Sequence, residues 1–144
     1  MERTAGILMP ISSLPGKYGI GCFNLKAYEF VDFLRDAGQT YWQILPIHPT
    51  SYGDSPYQSF STFAGNPYFI DLEALIAEGV LSNAECDSVF FGDEEDDINY
   101  AALYEGRKIL LTMAYERSRI SENPEYQKFT ADNGWWLEDY ALFM

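Results

Sequence analysis

The sequence predicts an α/β protein built around a parallel strand pair. Three observations carry that prediction: short apolar runs at residues 5–9 and 41–46, and between them a stretch of helical periodicity closed by Gly38. Strand, helix, strand is the βαβ unit, which joins neighbouring parallel strands through a right-handed crossover. Short strands of this kind serve doubly wound sheets and β/α barrels alike, and their period does not separate the two.

The first run, Ala5-Gly6-Ile7-Leu8-Met9, is closed by Pro10 and fits a buried strand. Residues 11–23 are dense in Ser, Gly and Pro, including Leu14-Pro15-Gly16 and Gly19-Ile20-Gly21, which predicts a fixed but irregular path. Asn24 is a candidate N-cap for a helix in which Leu25, Tyr28, Phe30, Val31 and Leu34 set the period up to Gly38. Tyr41-Trp42-Gln43-Ile44-Leu45-Pro46 is then the second strand.

From His48 to Asp71 the chain is an extended run of Tyr, Ser, Gly, Pro, Asn and Phe without helical or alternating pattern. A loop of that length is functional or is held by another part of the protein. Residues 72–78 read as a short helix stopped by Gly79, and Ser82-Asn83-Ala84-Glu85 carries the spacing of a capping box. The acidic stretch 93–97 reads as a solvated loop. Residues 100–118 form a convincing helix with Leu103, Leu110, Met113 and Ala114 on one face. The chain is expected to turn around Pro124, with another helix opening at Phe129 and an apolar helical pattern over residues 135–144. That last helix has no C-cap glycine and no basic last turn, so a continuation beyond Met144 is expected.

Composition narrows the function. The chain has 144 residues, enough for one domain, and a formal net charge of -13, which disfavours nucleic acid and anionic membrane surfaces. No run is long and apolar enough to span a bilayer, and residues 1–6 have neither the basic nor the apolar part of a signal peptide. Cys22 and Cys86 fit no metal-ligand spacing and read as ordinary thiols in a reducing cytoplasm. Aromatic residues make up 17% of the chain, which suits cores, partner surfaces and sugar-stacking platforms without choosing among them.

Searches for familiar chemistry return little. There is no phosphate-binding loop, and Gly19-Ile20-Gly21 lacks the third glycine of a dinucleotide fingerprint. No cofactor is implied. His48 is the one histidine, which excludes a multi-histidine metal site and reads as a side chain satisfied by a backbone group. No serine sits in a nucleophile elbow, so a hydrolase of that type has no support. Asp54, embedded among Gly, Ser and Pro, is the carboxylate in unusual surroundings, and such a residue often accepts backbone N–H bonds and fixes a turn.

Several segments together carry a resemblance. Gly53-Asp54-Ser55-Pro56-Tyr57-Gln58-Ser59-Phe60-Ser61, Phe63-Ala64-Gly65-Asn66-Pro67-Tyr68 and Ile70-Asp71-Leu72 resemble the N-terminal signature of the 4-alpha-glucanotransferase family. The likeness extends to Ser13-Leu14-Pro15-Gly16, Tyr18-Gly19-Ile20-Gly21, Tyr41-Trp42-Gln43-Ile44-Leu45-Pro46 and Trp135-Trp136-Leu137-Glu138-Asp139-Tyr140-Ala141. It covers nearly the whole chain with the segments in family order.

The resemblance implies the N-terminal part of a (β/α)8 barrel with an inserted helical subdomain. About residues 1–50 would supply the first two strands and their crossover helix, and about 51–144 the substrate loop and helical insertion. That loop would lie at the C-terminal face of the barrel, where such folds build their sites. By the same resemblance, Ser55 and Tyr57 match residues lining a donor-sugar cleft. Tyr52 and Tyr104 match aromatics of a second glucan contact, and Asp54 is grouped with these substrate-binding residues by its place in the motif. The implied substrate is a maltodextrin or other alpha-glucan, transferred by a retaining mechanism. The catalytic carboxylates come from later strands of the family barrel, so this chain carries none and depends on the remainder of its own catalytic domain. Isolated, it would expose strand edges and apolar helix faces, and self-association is expected. A non-catalytic module that binds maltodextrin or docks to a partner is the alternative, without nucleic acid or membrane in either case.

Overall fold

A computed structural model describes residues 3–93 and 96–144. Of the N-terminal run, Met1 and Glu2 lie outside the described residues, as do Glu94 and Glu95 of the acidic stretch. Strand β1 (Gly6–Leu8) pairs in parallel with β2 (Tyr41–Gln43), in the register Gly6 to Tyr41, Ile7 to Trp42 and Leu8 to Gln43. Helix α1 (Leu25–Asp36) connects them, so the βαβ reading holds. Asn24 caps it by accepting from the Lys26 N–H at 3.0 Å, and Gly38 stops it with φ of 69°.

The strands are less buried than their composition suggests. Ile7 and Leu8 are exposed, as are Leu25, Tyr28 and Val31 on α1. Among the described residues the sheet has two strands, and α1 meets it through Ala27 and Phe30, whose ring lies edge-on to Trp42. A small core of Ile11, Leu14 and Ala27 forms at that contact, with Trp42 and Met9 packed against it. The Trp42 indole N–H donates to the Met9 carbonyl at 2.8 Å and closes its edge.

The larger core lies away from the sheet. Tyr18, Ile20 and Cys22 from the Gly-rich loop pack with Leu72, Leu81, Cys86 and Phe91 onto Leu103, Leu110 and Ala114. The last three belong to α4 (Tyr100–Ser118), whose apolar face is the one its period predicts. Cys22 and Cys86 are both free thiols and both buried. Helices α2 (Leu72–Ala77) and α3 (Asn83–Asp87) complete this unit, followed by α5 (Pro124–Phe143).

Helix α5 corrects the sequence reading. It begins at Pro124, not at Phe129, and continues through Gly134 to Phe143. Pro124 occupies the first helical turn, where its missing N–H is not needed, and the Asn123 side chain accepts from the Glu125 N–H at 2.8 Å. No helix of the described residues is long and apolar enough to cross a membrane.

The expected capping box is present and does more than cap. Glu85 Oε2 accepts from the Ser82 N–H at 2.9 Å and from its hydroxyl at 2.8 Å, while the Glu85 N–H donates to Ser82 Oγ at 3.3 Å. From α4, the Arg117 guanidinium grips both oxygens of the same carboxylate, at 2.8 and 3.1 Å. Arg117 foremost, then Ser82, hold the Glu85 carboxyl down at about 2. A carboxyl lowered by folding stabilises the fold above its unfolded value, near 4.5, and loses that contribution as pH falls toward about 2. Glu85→Gln is therefore expected to flatten the fall of melting temperature across that window while leaving the slope above pH 5 unchanged. Thermal melts of both proteins at half-unit pH steps check this.

Candidate functional site

The sequence 50–59 folds into a pinched loop. Thr50 and Ser59 form an antiparallel bridge, and the Ser51 N–H donates to the Gln58 carbonyl at 3.1 Å just inside it. Two tight turns fill the tip. In the first, the Asp54 N–H donates to Ser51 O at 3.0 Å, and in the second Gln58 N–H donates to Ser55 O at 3.0 Å. Gly53 takes φ of 100°, a left-handed value that glycine adopts without steric cost. Asp54 follows at φ of 57°, which short polar side chains tolerate better than most. Pro56 sits in the second turn, where its fixed φ is favourable, and Ser55 Oγ accepts from the Tyr57 N–H at 3.3 Å.

Serines continue the same local chemistry beyond the pinch. Ser59 Oγ donates to Ser61 O at 2.7 Å, and Ser61 Oγ accepts from the N–H groups of Phe63 and Ala64 at 3.1 Å each. Asn66 is buried and anchors the segment twice. Its N–H donates to Ile47 O at 2.9 Å, and its side-chain oxygen accepts from the Tyr68 N–H at 2.9 Å. His48 lies nearby with Nδ1 at 3.4 Å from the Ala64 carbonyl, in keeping with a backbone-satisfied side chain.

Two adjoining hollows flank this loop. The larger is an open groove of about 780 Å³ walled by Tyr52, Asp54, Tyr68, Tyr100, Tyr104 and Tyr140. The smaller, of about 160 Å³, is bounded by Pro10 and Ile11 after β1 and by Leu45, Pro46 and Ile47 after β2. It therefore lies off the carboxyl ends of the parallel strands, where α/β folds place their ligands. Thr50, Asp54, Asn66, Tyr68 and Tyr100 border both hollows.

The structure thus brings Tyr52, Asp54 and Tyr104 to one groove. Tyr52 is fully exposed and Tyr104 is 54% exposed, so both rings have faces free. Ser55 and Tyr57 line neither hollow, although Pro56 between them borders the smaller one. Tyr57 stands out at 72% exposure on the second turn. Among the described residues the backbone N–H groups that donate to carboxylates are those of Glu73 and Ser82, to Asp71 and Glu85, and the Asp54 carboxylate takes none, contrary to the turn-fixing role its neighbours suggest for that group. Its part in the turn is played by its own N–H and left-handed backbone, which leaves the carboxylate to the groove.

Tyr68, Tyr100 and Tyr140 are groove residues that periodicity does not single out. Tyr100 and Tyr104 are four residues apart and so share a helix face, the one local signal that pairs them. The Tyr68 and Tyr100 rings tilt toward each other with centroids 6.3 Å apart. Burial pushes the phenols of Tyr68 and Tyr100 above their usual range, and the Asp54 carboxylate adds to both shifts. Burial raises Tyr140 as well. All three therefore remain neutral O–H donors at physiological pH. Aromatic faces with hydroxyl edges and one carboxylate acceptor make a surface that suits a neutral, polyhydroxylated ligand.

The family model described as 4-alpha-glucanotransferase matches residues 9–144. The chain belongs to the 4-alpha-glucanotransferase family. Among its relatives, the 4-alpha-glucanotransferase of Clostridium butyricum is 53% identical over 136 residues, which is 94% of this chain and 28% of that protein. That of Thermus thermophilus is 43% identical over 148 residues, or 100% of this chain and 29% of that protein. Among solved structures, the amylomaltase from Streptococcus agalactiae in complex with acarbose superposes with a TM-score of 0.88 at 42% identity, over 99% of this chain and 29% of that one. The chain thus spans under a third of the length of these 4-alpha-glucanotransferases, and its likeness lies in their N-terminal portion.

Proposed function

We propose that this chain is the substrate-loop portion of an enzyme that transfers alpha-1,4-glucan segments between maltodextrins. The observation that carries this reading is the pinched loop beside the strand carboxyl ends, which bears the family motif and borders a tyrosine-walled groove through Tyr52 and Asp54. In a barrel, that end of the strands is where chemistry is done. The rest of the catalytic domain would complete the (β/α)8 barrel, with the helices after residue 51 as its inserted subdomain. The acarbose bound to the Streptococcus agalactiae relative is consistent with a glucan-shaped ligand for this one.

The reaction we assign is retaining. A carboxylate from the remainder of the domain attacks the anomeric carbon of the donor, the glycosidic C–O bond breaks, and a carboxylic acid protonates the departing glucan oxygen. The same carboxyl group, now a base, takes the proton from an acceptor hydroxyl as that oxygen displaces the enzyme from the anomeric carbon. This chain's contribution is binding. Ser55 and Tyr57 contact the donor sugar, with the phenol ring against a pyranose face, while Tyr52, Asp54 and Tyr104 hold glucan in the groove. The two buried free thiols fit a reducing cytoplasm as its compartment.

Tyr57 gives the direct test. Because the ring is exposed and packs on no core cluster, Tyr57→Ala should leave the fold intact. In the full-length protein it is expected to lower kcat/KM for maltotriose disproportionation about tenfold, as loss of about 1.4 kcal/mol of sugar contact would. An unchanged kcat/KM would contradict the assignment. A second reading, a maltodextrin-binding module without catalysis, draws on one observation: among the described residues the groove offers five tyrosines and a single carboxylate, which suits holding a sugar and supplies no carboxyl pair. Glucan binding by a full-length protein that never makes transfer products would favour it.

A further inference from the structure

We infer that Arg107 is the positioning residue of the tyrosine groove, an inference that rests on reading that groove as a glucan site. Arg107 is 2% exposed and is the only charged side chain buried among the described residues. Its Nη1 donates to the Ile70 carbonyl at 2.6 Å, and its Nη2 reaches the Tyr18 carbonyl and Cys22 Sγ, each at 3.4 Å. The guanidinium carbon lies 5.9 Å from the centre of the Phe91 ring. Among the described residues no carboxylate pairs with it, and its Nε–H has no acceptor.

Burying a guanidinium without a counter-charge is costly, and nothing in this arrangement recovers the cost as an ion pair would. What the arrangement supplies is geometry. Tyr100, Tyr104 and Arg107 fall at the i, i+4 and i+7 positions of α4, on one stripe of the helix. Arg107 ties that stripe to Ile70, which is two residues beyond Tyr68, the ring that faces Tyr100 at 6.3 Å. The same side chain holds the Gly-rich loop through Tyr18 and Cys22. One residue therefore sets how far the α4 wall of the groove stands from the Tyr68 wall. A planar fork of donors suits this task, because it fixes direction as well as distance.

The test compares long and short donors in the full-length protein with Arg107→Met, Arg107→Lys and Tyr104→Ala. The groove serves a long glucan and not the donor subsites, so Arg107→Met should raise KM for maltoheptaose about tenfold, with KM for maltotriose and both kcat values within about twofold. Arg107→Lys keeps one donor toward Ile70 O but loses the planar fork, and should leave maltoheptaose KM raised about threefold, short of the tenfold rise of Arg107→Met. A folded Arg107→Met protein with wild-type KM for maltoheptaose overturns the inference. So does an equal rise for both substrates accompanied by a fall in kcat, which marks a general packing role. If Arg107→Met is not recovered folded, Arg107→Lys decides. A rise in maltoheptaose KM of about threefold with maltotriose unmoved supports the inference, and no change in either KM overturns it. Tyr104→Ala separates the two layers, since an unchanged maltoheptaose KM there removes the glucan reading of the groove, whatever Arg107 does.

Discussion

Given maltotriose, the purified 144-residue chain is expected to release no glucose and build no longer maltodextrins, whereas the full-length protein does both. Retaining transfer needs two carboxyl groups about 5 Å apart, one to attack and one to deliver a proton. Among the described residues, Asp54 is the only carboxylate that lines either the tyrosine groove or the smaller hollow beside it. A single carboxylate cannot fill both positions, and without a covalent intermediate the donor bond stays closed to the acceptor. Following glucose and chain-length distribution in parallel assays checks this, with a helical circular dichroism spectrum for the short chain as its control. Product from the short chain would place the chemistry among residues described here. Product from neither would withdraw the transferase reading altogether.

Gly21→Ala is expected to destabilise the protein by about 3 kcal/mol or more, read as a fall in melting temperature of the full-length protein. A Cβ at Gly21 would stand 2.1 Å from Ile11 O, 2.6 Å from Leu14 O and 2.8 Å from Leu14 N. All three are backbone atoms, so no change of rotamer relieves the overlap. The Gly21 N–H also donates to Ser12 O at 3.1 Å, and moving the two chain segments apart would break that bond too. Ile11 and Ser12 border the hollow at the ends of β1 and β2, so kcat/KM is expected to fall along with stability. Gly65→Ala, where a Cβ meets nothing within 4 Å, is the matching control and should change the melting temperature little.

What the sequence discloses follows the range of the interactions concerned. The βαβ order, the Asn24 cap, the Gly38 and Gly79 stops and the Ser82–Glu85 box are all written within a few residues of where they act, and each is present. Helix α5 is misplaced from sequence because Pro124 signals a turn and a helix start equally well. Gly134 inside it is tolerated because that position is open, with only the Glu138 carboxylate near. Burial is harder to foresee. Ile7 and Leu8 have the composition of a core strand, yet burial depends on what covers the sheet.

The site divides the same way. The motif around Asp54 marks the loop, and Tyr104 enters through family likeness. The convergence of Tyr68 from the loop, Tyr100 from α4 and Tyr140 from α5 is a tertiary fact with no local spacing to announce it. Arg107 looks, in sequence, like any charged residue on a helix surface. Only its 2% exposure and its hold on Ile70 and Tyr18 distinguish it.

On the proposed glucan reading, the bridge between Thr50 and Ser59 bears on how tightly a ligand would be held. A ten-residue segment free to wander would lose conformational entropy each time a sugar arrived, and affinity would suffer by that amount. Here the two turns, the bridge and the serine hydroxyls have restricted the segment beforehand. The exposed tyrosines ride on a backbone that is already arranged, so the contact energy of the proposed glucan would pass into residence time and alignment instead of into ordering the chain.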